Sequence, residues 1–241
     1  MPVDPNADVE ITAFDWVPDF AKGQVRDLRV RWALEEVGVP YRVRLLPQGD
    51  QKQAEHRARN PFGQVPTYQQ GDLTLFESGA IVLHIADRHP GLVPEDAGGR
   101  ARAIGWVFAA LNTVEPPIGD YVMASLFEAS QPSSKARLPA IEQRIHDRLK
   151  DASQRLGEQA WFDGDRFTAG DLMMAATLGM IADKGFLGRY SNLTSFVERA
   201  TARPAFQQAL ADQLAGFTGS PPPGFDRWLK DMAAARQGEM A

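Results

Sequence analysis

Residues 60–82 read NPFGQVPTYQQGDLTLFESGAIV, and this stretch decides the fold of the N-terminal part of the chain. It holds a Gly-Gln-Val-Pro turn and then two short β-like runs separated by Gly71-Asp72. Glu77 and Ser78 follow directly, at the start of a helix-like run. The stretch predicts a strand whose edge a proline leaves unpaired, and a hairpin that delivers an acid and a hydroxyl to a helix N-terminus. Because a helix N-terminus favours a carboxylate, we expect a site for a peptide-like anion.

The combination of turn, hairpin and acid-hydroxyl pair resembles the thioredoxin-like half of the glutathione transferases. The resemblance implies that Val65, before a cis Pro66 and beside Gln64, offers its N–H and C=O groups to the cysteinyl part of glutathione. It also implies that Ser78 binds the γ-glutamyl carboxylate and that Glu77 faces the ammonium group. The alternative is that Val65-Pro66 is an ordinary turn and that Ser78 is only a helix N-cap.

Composition restricts the chemistry that the chain itself can supply. Its 241 residues are enough to bury a sizeable core, and the 44% hydrophobic and 24% charged fractions are those of a globular protein. The absence of cysteine excludes disulfides, thiolate metal sites and a cysteine nucleophile. The four histidines lie far apart without metal-ligand spacing, so no metal site is expected. Any thiol chemistry must therefore use a thiol that the substrate brings.

Charge and hydropathy restrict the partners and the location. The net charge is −5 and the sequence has no basic stripe, so nucleic acid is not an expected partner. No apolar run approaches the length of a membrane span. The acidic start lacks the basic and apolar regions of a secretory signal, and we therefore expect a cytoplasmic protein.

The order of patterns predicts an α/β domain followed by an all-α domain. Strand-like and helical patterns alternate up to residue 89, in the βαβαββα order of a thioredoxin-like fold. The elements are predicted at residues 9–14, 24–37, 40–46, 51–59, 65–70, 73–76 and 78–88. We expect a thioredoxin-like glutathione-binding domain over residues 9–89 and a C-terminal helical bundle over residues 99–215, with a tail over 216–241.

The segment after residue 89 carries several breaks in helical patterns. The polar stretch 94–100 reads as part of a linker between the domains. Pro116-Pro117 predicts a kink or break in a long helical run, because each proline removes a backbone donor. The sequence SPPPG at residues 220–224 ends the regular packing, after which the chain either crosses back over the domain or stays loose.

The sequence FTAGDLMMA at residues 167–175 predicts the start of a buried helix. Thr168 and Asp171 have the spacing of a capping box, and Phe167 and Leu172 have that of a hydrophobic staple. Glutathione transferases carry a similar capping motif in their helical domain. We assign these residues to folding rather than catalysis, and a cap loss such as Asp171→Ala typically costs about 0.5–2 kcal/mol.

The loop after the first predicted strand lacks the group that usually activates the thiol in the family. A free thiol is only a few per cent ionised near neutral pH, so a transferase must stabilise the anion. Family members usually do so with a Tyr, Ser or Cys after the first strand. Residues 16–24 contain none of these, and the nearby Thr12 lies within the predicted strand.

Three substitutes for this hydroxyl stay open. Backbone N–H groups near Gly23 and Gln24, at the start of the first helix, can donate to the sulfur. Lys22 or Arg26 can stabilise the anion by its charge. In the third alternative, glutathione binds but its thiol stays largely protonated. We favour the backbone route, with Arg26 as the first side chain to test.

Two further parts of the ligand need partners. The resemblance implies a Lys, His or Gln for the glycine carboxylate of glutathione, and Lys52 has roughly the right separation from the Gly-Gln-Val-Pro turn. Phe20 and Trp106 are the aromatic residues expected to line a co-substrate pocket between the domains.

The predicted function is that of a glutathione transferase, and two alternatives stay open. The resemblance implies a homodimer that uses glutathione as co-substrate to conjugate, or exchange it on, a small hydrophobic electrophile. The first alternative is a non-catalytic glutathione-binding protein of the same fold, which the missing hydroxyl suggests. The second is a glutathione-dependent isomerase, which regenerates the thiol.

Overall fold

The computed structural model describes residues 3–225 and residue 227. The strands of its N-terminal half are β1 (Val9–Phe14), β2 (Tyr41–Leu46), β3 (Thr67–Gln70) and β4 (Leu73–Phe76). The helices are α1 (Asp27–Val37), α2 (Ala54–Arg57) and α3 (Ser78–Arg88). This order confirms the predicted thioredoxin-like fold class.

The sheet has the order β2-β1-β3-β4. Strand β1 runs parallel to β2 and antiparallel to β3, and β3 forms a hairpin with β4. Ile11 of β1 lies opposite Val43 on one side and Tyr68 on the other, and Ile11 and Tyr68 are buried. Helices α1 and α3 pack against each other and against the sheet. Gly38 ends α1 with a φ of 68°, the left-handed cap that glycine adopts without a Cβ penalty.

Two predicted helices are shorter than expected. The first begins at Asp27 rather than at residue 24, because residues 22–24 form a turn. The second, predicted at residues 51–59, is a 3₁₀ turn at Asp50–Lys52 followed by the single turn α2. The polar stretch therefore forms two short helical pieces instead of one helix.

The C-terminal half consists of helices. They are α4 (Ala97–Ala109), α5 (Glu115–Val122), α6 (Pro132–Leu156), α7 (Ala169–Gly179), α8 (Ser191–Thr201) and α9 (Pro204–Ala215). Residues 94–100 were expected to belong to a linker, but residues 97–100 are the first residues of α4. Asp96 accepts a hydrogen bond from the Gly99 N–H at 2.7 Å and caps α4, which begins at Ala97. The domain limits 9–89 and 99–215 stay a prediction.

The chain stays helical through Pro116 and Pro117, but the helix before them changes from an α-helix to a π-helix. The five residues Ala110–Val114 form a π-helix directly before them, and α5 begins at Glu115. Both prolines thus occupy the first turn of α5, where a missing N–H costs little. The predicted break therefore takes the form of a π segment, a known cause of helix kinks.

The two halves share one hydrophobic core along α1. The Trp32 ring is fully buried, with its centroid 5.6 Å from that of Phe167 and 4.8 Å from that of Phe206. Next to it, Arg203 donates two hydrogen bonds of 2.6 Å to the carboxylate of Glu36. Apolar packing and a bidentate ion pair therefore fix α1 against the helical half.

The side chain of Glu35 makes stability depend on pH where α1 packs against α9. Burial, and next the charge of Asp212, raise the pKa of Glu35 from its ordinary 4.5 to about 7. Between these two values the folded state holds a proton that the unfolded state has released. The favourable contribution of Glu35 is therefore present below about pH 4.5 and is lost as the pH rises through about 7.

We predict that Glu35→Gln abolishes this part of the pH dependence. At about pH 8 the variant should be more stable than the wild type, and the difference should shrink towards about pH 5. Urea denaturation midpoints across this range measure the effect. Glu158→Gln, at an exposed position, is the control and should follow the wild type. A stability difference that does not change with pH contradicts the prediction.

The segment after α9 returns to the N-terminal half. The Gly219 N–H donates to the Asp15 carbonyl at 2.8 Å, and the Phe225 ring meets Trp16 edge-on at 4.7 Å. Up to Phe225, therefore, the tail crosses back over the N-terminal half, which was one of the two expectations. The last helix-like stretch lies largely outside the described residues. Within residues 3–225, no helix combines the length and the hydropathy that a membrane span needs.

Candidate functional site

A polar cavity of about 370 Å³ lies between the two halves of the chain. Five of the site residues predicted from the sequence line this cavity: Gln24, Arg26, Lys52, Gln64 and Val65. Gln51, Arg29 and Glu115 also line it. The turn before β3, the start of α1 and the start of α5 therefore meet around one space.

Val65 offers an unpaired backbone edge to this cavity. The Val65-Pro66 bond is cis, and the N–H and C=O groups of Val65 have no hydrogen-bond partner in the part of the chain that the structure describes. Ladder pairing with β1 begins only further along, at Tyr68 and Gln69. An extended peptide can pair with this edge as an added strand.

Two side chains hold the turn that precedes Val65. His56 Nε2 lies 2.9 Å from the Gln64 carbonyl oxygen, and Asn60 Nδ2 donates to the same oxygen at 3.0 Å. Both side chains are buried. The sequence has no metal-ligand spacing around His56 and no local signal for another role, and the structure makes this residue a support of the site.

Lys52 extends over the edge of the same turn. Its ammonium group donates to the Gly63 carbonyl at 3.0 Å and to the Phe62 carbonyl at 3.4 Å. These contacts hold a positive charge at the rim of the polar cavity. The ammonium group of Lys52 is therefore already in position to bind a carboxylate near this rim.

Glu77 and Ser78 begin α3 and do not line the polar cavity itself. Ser78 is the first helical residue and Glu77 occupies the N-cap position, so the interpretation of Ser78 as an N-cap was wrong by one residue. Glu77 has a φ of 71°, the only positive value for a non-glycine residue among the described residues. Such strained backbone is frequent at binding sites.

The predicted backbone donors Gly23 and Gln24 need a correction. The Gly23 N–H donates to Gln213 Oε1 at 3.1 Å, and the Gln24 N–H donates to the Ala21 carbonyl at 3.0 Å. Neither group is available for a sulfur atom. The next two N–H groups, those of Val25 and Arg26, have no partner within residues 3–225, and both residues line the polar cavity.

Gln213 anchors this loop from the helical half. Besides accepting from Gly23, its amide nitrogen donates to Asp27 Oδ1 at 2.8 Å and to the Val25 carbonyl at 3.3 Å. Asp27 in turn accepts from Arg31 Nε at 2.8 Å, and the side chains of this pair are buried. A single glutamine from α9 thus fixes the start of α1 beside the cavity.

Thr12 is excluded as the missing hydroxyl. Its Oγ1 accepts from the Thr67 N–H at 2.8 Å and lies 3.0 Å from Thr67 Oγ1, and both residues are buried in the sheet. No hydroxyl side chain is among the described residues that line the polar cavity. The departure from the usual pattern of the family therefore persists in three dimensions.

Charged side chains from both halves form an ion-pair cluster in the wall of the polar cavity. Arg26 Nη2 lies 2.5 Å from Glu115 Oε1, and Arg29 Nη2 lies 2.9 Å from Glu115 Oε2. The side chains of Glu115 and Arg29 are 7% and 3% exposed, whereas that of Arg26 is 53% exposed. Two cations and one anion leave this cluster with a formal charge of +1.

Burial outweighs the attraction of Glu115 and lowers the pKa of the Arg29 guanidinium. The nearby charge of Arg26 acts in the same direction. Because the three groups carry a net formal charge of +1, the cluster attracts an anion to the cavity.

An apolar cavity of about 470 Å³ adjoins the polar one. The two share Phe14 and Val25 in their walls. The apolar cavity is lined by the predicted Phe20 together with Trp16, Pro18, Phe127, Pro222 and Phe225. Its walls come from the loop after β1, the end of a second π-helical segment, Met123–Phe127, that follows α5, and the returning tail.

Trp106, the second predicted aromatic, does not line either of these cavities. Its ring packs on Phe162 with a centroid distance of 4.6 Å, and a Cβ added at Gly170 would lie 2.4 Å from the Trp106 Cβ. The indole fills the contact between α4 and α7. The expectation that Trp106 walls the co-substrate pocket was therefore wrong, since the ring is used in helix packing.

Comparison with known proteins identifies the family. The model for the glutathione S-transferase N-terminal domain matches residues 12–87, and the model for the C-terminal domain matches residues 118–213. The chain belongs to the glutathione S-transferase family. This family of enzymes uses glutathione as co-substrate, so the resemblance drawn from residues 60–82 is confirmed.

Individual glutathione S-transferases are similar over most of the chain. Glutathione S-transferase 4 of Zea mays is 33% identical over 153 residues, which are 60% of this chain and 67% of the maize protein. A probable glutathione S-transferase of Oryza sativa is 28% identical over 186 residues, or 73% of this chain and 86% of the rice protein. A Burkholderia graminis glutathione transferase, crystallised with two glutathione molecules per subunit, is 25% identical with a TM-score of 0.75. That alignment covers 84% of this chain and 87% of the bacterial one.

Sequence reasoning missed Arg29, Glu115 and Gln213 as parts of this glutathione S-transferase site. Arg29 is one of several arginines near the start of the predicted first helix, where no local pattern signals burial, but it is buried. Glu115 carries one local signal, an acid in the first turn of a helix that begins with prolines. Gln213 carries none, because its partners lie 186 to 190 positions away in sequence.

Proposed function

We propose that this chain binds glutathione in the polar cavity and transfers its sulfur to a small hydrophobic electrophile in the apolar cavity. One observation carries the proposal: the two cavities adjoin at Phe14 and Val25, beside the N–H groups of Val25 and Arg26, which precede α1 and have no partner within residues 3–225. The reacting sulfur and an apolar co-substrate can therefore come into contact without crossing a protein wall.

The ends of the tripeptide have different partners in this proposal. The cysteinyl backbone pairs with the N–H and C=O groups of Val65, next to Gln64 and Pro66. The glycine carboxylate lies near Lys52, whose ammonium group already sits at the rim of the cavity. The γ-glutamyl end extends out of the enclosed space towards Ser78 and Glu77, where α3 begins.

Thiol activation rests on backbone groups and one arginine. The N–H groups of Val25 and Arg26 donate to the sulfur, and the half-exposed guanidinium of Arg26 adds charge. The thiol releases its proton to water, and the sulfur then forms a bond to the electrophilic carbon. The leaving group departs with the electron pair of the bond that breaks. No protein side chain needs to form a covalent intermediate.

We predict that Arg26→Ala lowers kcat/KM more at about pH 7 than at about pH 9, because thiolate forms unaided at the higher pH. The loss near neutral pH should be roughly threefold to tenfold, the change in thiolate fraction when the pKa of the thiol rises by about half a unit to one unit. Arg148→Ala removes another surface-paired arginine and serves as the control. Equal losses at both pH values contradict a role in activation.

A combined binding and turnover experiment tests the proposed function. Calorimetry with glutathione should give saturable binding, and assays with several aryl halides and other electrophiles should give conjugates. Binding without turnover of any electrophile favours the non-catalytic alternative, which the lack of a hydroxyl in the cavity supports. Turnover without consumption of glutathione favours an isomerase. Absence of glutathione binding refutes all three.

Homodimer formation and a cytoplasmic location stay predictions. In support of an interface between copies, Phe62 packs edge-on against Phe76 at 6.1 Å and still leaves 62% of its surface exposed. Aromatic residues are enriched in the contact surfaces between proteins.

A further inference from the structure

Helix α9 reaches the start of α1 through one buried side chain. Gln213 is 1% exposed, and its amide accepts from the Gly23 N–H and donates to the Val25 carbonyl and to Asp27 Oδ1. The bonded groups lie in sequence on both sides of the Val25 and Arg26 N–H groups, which have no partner within residues 3–225. The segment that carries these two N–H groups is therefore held at both ends by one residue.

The turn before α1 has little freedom to shift while α9 is in place. Gly23 has a φ of 76°, in the left-handed region, and the Gln24 N–H closes the turn by donating to the Ala21 carbonyl. A Cβ added at Gly23 would lie 3.2 Å from Leu210 Cδ1, so the turn already packs closely on α9. Leu210 and Gln213 are three residues apart and thus lie on the same side of that helix.

The amide group suits both of its main partners. The Gly23 N–H needs an acceptor and the Asp27 carboxylate needs a donor, and a glutamine side chain offers one of each. A glutamate at the same position would place a second carboxylate against Asp27. Without Gln213, a backbone donor and a buried carboxylate oxygen lose their partner, and the turn can rearrange to find others.

We propose that Gln213 is a positioning residue for thiol activation, which keeps the Val25 and Arg26 N–H groups directed at the sulfur of glutathione. The inference rests on the proposed function, in which these N–H groups donate to the sulfur. Gln213 does not line the polar cavity, so it acts through the turn rather than by touching the substrate. Activation of the thiol in the N-terminal half thus depends on a side chain of the helical half.

Titration of the ultraviolet absorbance of bound glutathione against pH measures the pKa of its thiol directly. Gln213→Met keeps the length of the side chain and removes its donor and its acceptor. The thiol pKa should rise by about half a unit to one unit, which lowers kcat/KM roughly threefold to tenfold at about pH 7 and less at about pH 9. Gln208→Met, at an exposed position of the same helix, is the control and should match the wild type.

Gly23→Ala moves the same turn while leaving Gln213 intact. Its Cβ strains the left-handed backbone and presses on Leu210, so the thiol pKa should again rise. Gly38→Ala, at the other end of α1, is the matched control, because Gly38 has a φ of 68° and nothing within 4 Å of an added Cβ. This control should lose some stability without any change in the thiol pKa.

An unchanged thiol pKa in Gln213→Met overturns the proposal, and if that variant does not fold, the same criterion applies to Gly23→Ala. An equal shift in Gly38→Ala also overturns it, since backbone strain alone then explains the result. The titration needs bound glutathione but no electrophile, so it decides the role of Gln213 even where turnover is absent. A wild type that does not bind glutathione refutes the proposed function and this inference together.

Discussion

Replacing Glu115 by alanine is expected to lower the free energy of unfolding by about 3–5 kcal/mol, because it leaves a buried arginine without its counter-charge. Glu115 is the carboxylate that both Arg26 and Arg29 contact, and the Arg29 side chain is almost fully buried. Urea denaturation followed by circular dichroism measures the loss. Asp120→Ala removes an exposed ion pair with Arg144 from the same helix and should cost about 0–1 kcal/mol.

A double-mutant cycle distinguishes the lost counter-charge from lost packing. Glu115→Leu alone should be strongly destabilising, whereas Glu115→Leu combined with Arg29→Met removes both buried charges. The double variant should be more stable than the single one, since apolar side chains often replace a buried ion pair at little cost. If the two changes simply add, the uncompensated charge of Arg29 is not the cause.

Asp171→Ala is the second change with a large expected effect, a loss of about 3–5 kcal/mol in the free energy of unfolding. The carboxylate is fully buried and accepts from the Thr168 N–H at 2.9 Å and from Thr168 Oγ1 at 2.8 Å. Its other oxygen accepts from the Phe162 N–H at 2.8 Å. Alanine leaves two buried backbone donors without partners, which costs more than a surface cap.

Thermal or urea unfolding of three variants checks this expectation. Asp171→Asn keeps an acceptor oxygen and should lose less stability than Asp171→Ala. Asp165→Ala, an exposed acid in the same loop, is the control and should stay close to the wild type. A loss for Asp171→Ala within the ordinary range for a helix cap would mean that the Phe162 contact contributes little.

Local patterns predicted most elements of the N-terminal half. The predicted bounds of β1 and α3 match the observed ones, because strand alternation and helical periodicity involve neighbours only a few residues apart. The capping box of Thr168 and Asp171 formed as its spacing indicates, for the same reason. The start of α4 was missed because the polar composition of residues 94–100 concealed the Asp96 cap.

In the candidate site too, the sequence predicted the local part better than the contacts between distant residues. The sequence predicted Gln64, Val65 and Lys52 as parts of one glutathione site, and that role stays a prediction. The three residues line one cavity because they all belong to the turn and short helices before β3. The backbone donors predicted at the start of α1 were wrong. The Gly23 N–H donates to Gln213, which lies 190 positions further along the chain, and no local sequence pattern predicts such a contact.

The sequence by itself determined that this chain has a thioredoxin-like half with an open strand edge at Val65 and no sulfur nucleophile of its own. These properties follow from residue identity and short-range backbone geometry. Only the tertiary structure decided that Glu115 lies between two arginines and that, within residues 3–225, the N–H groups of Val25 and Arg26 have no partner. Those results depend on which distant side chains satisfy each buried polar group, and that is fixed only when the two halves pack together.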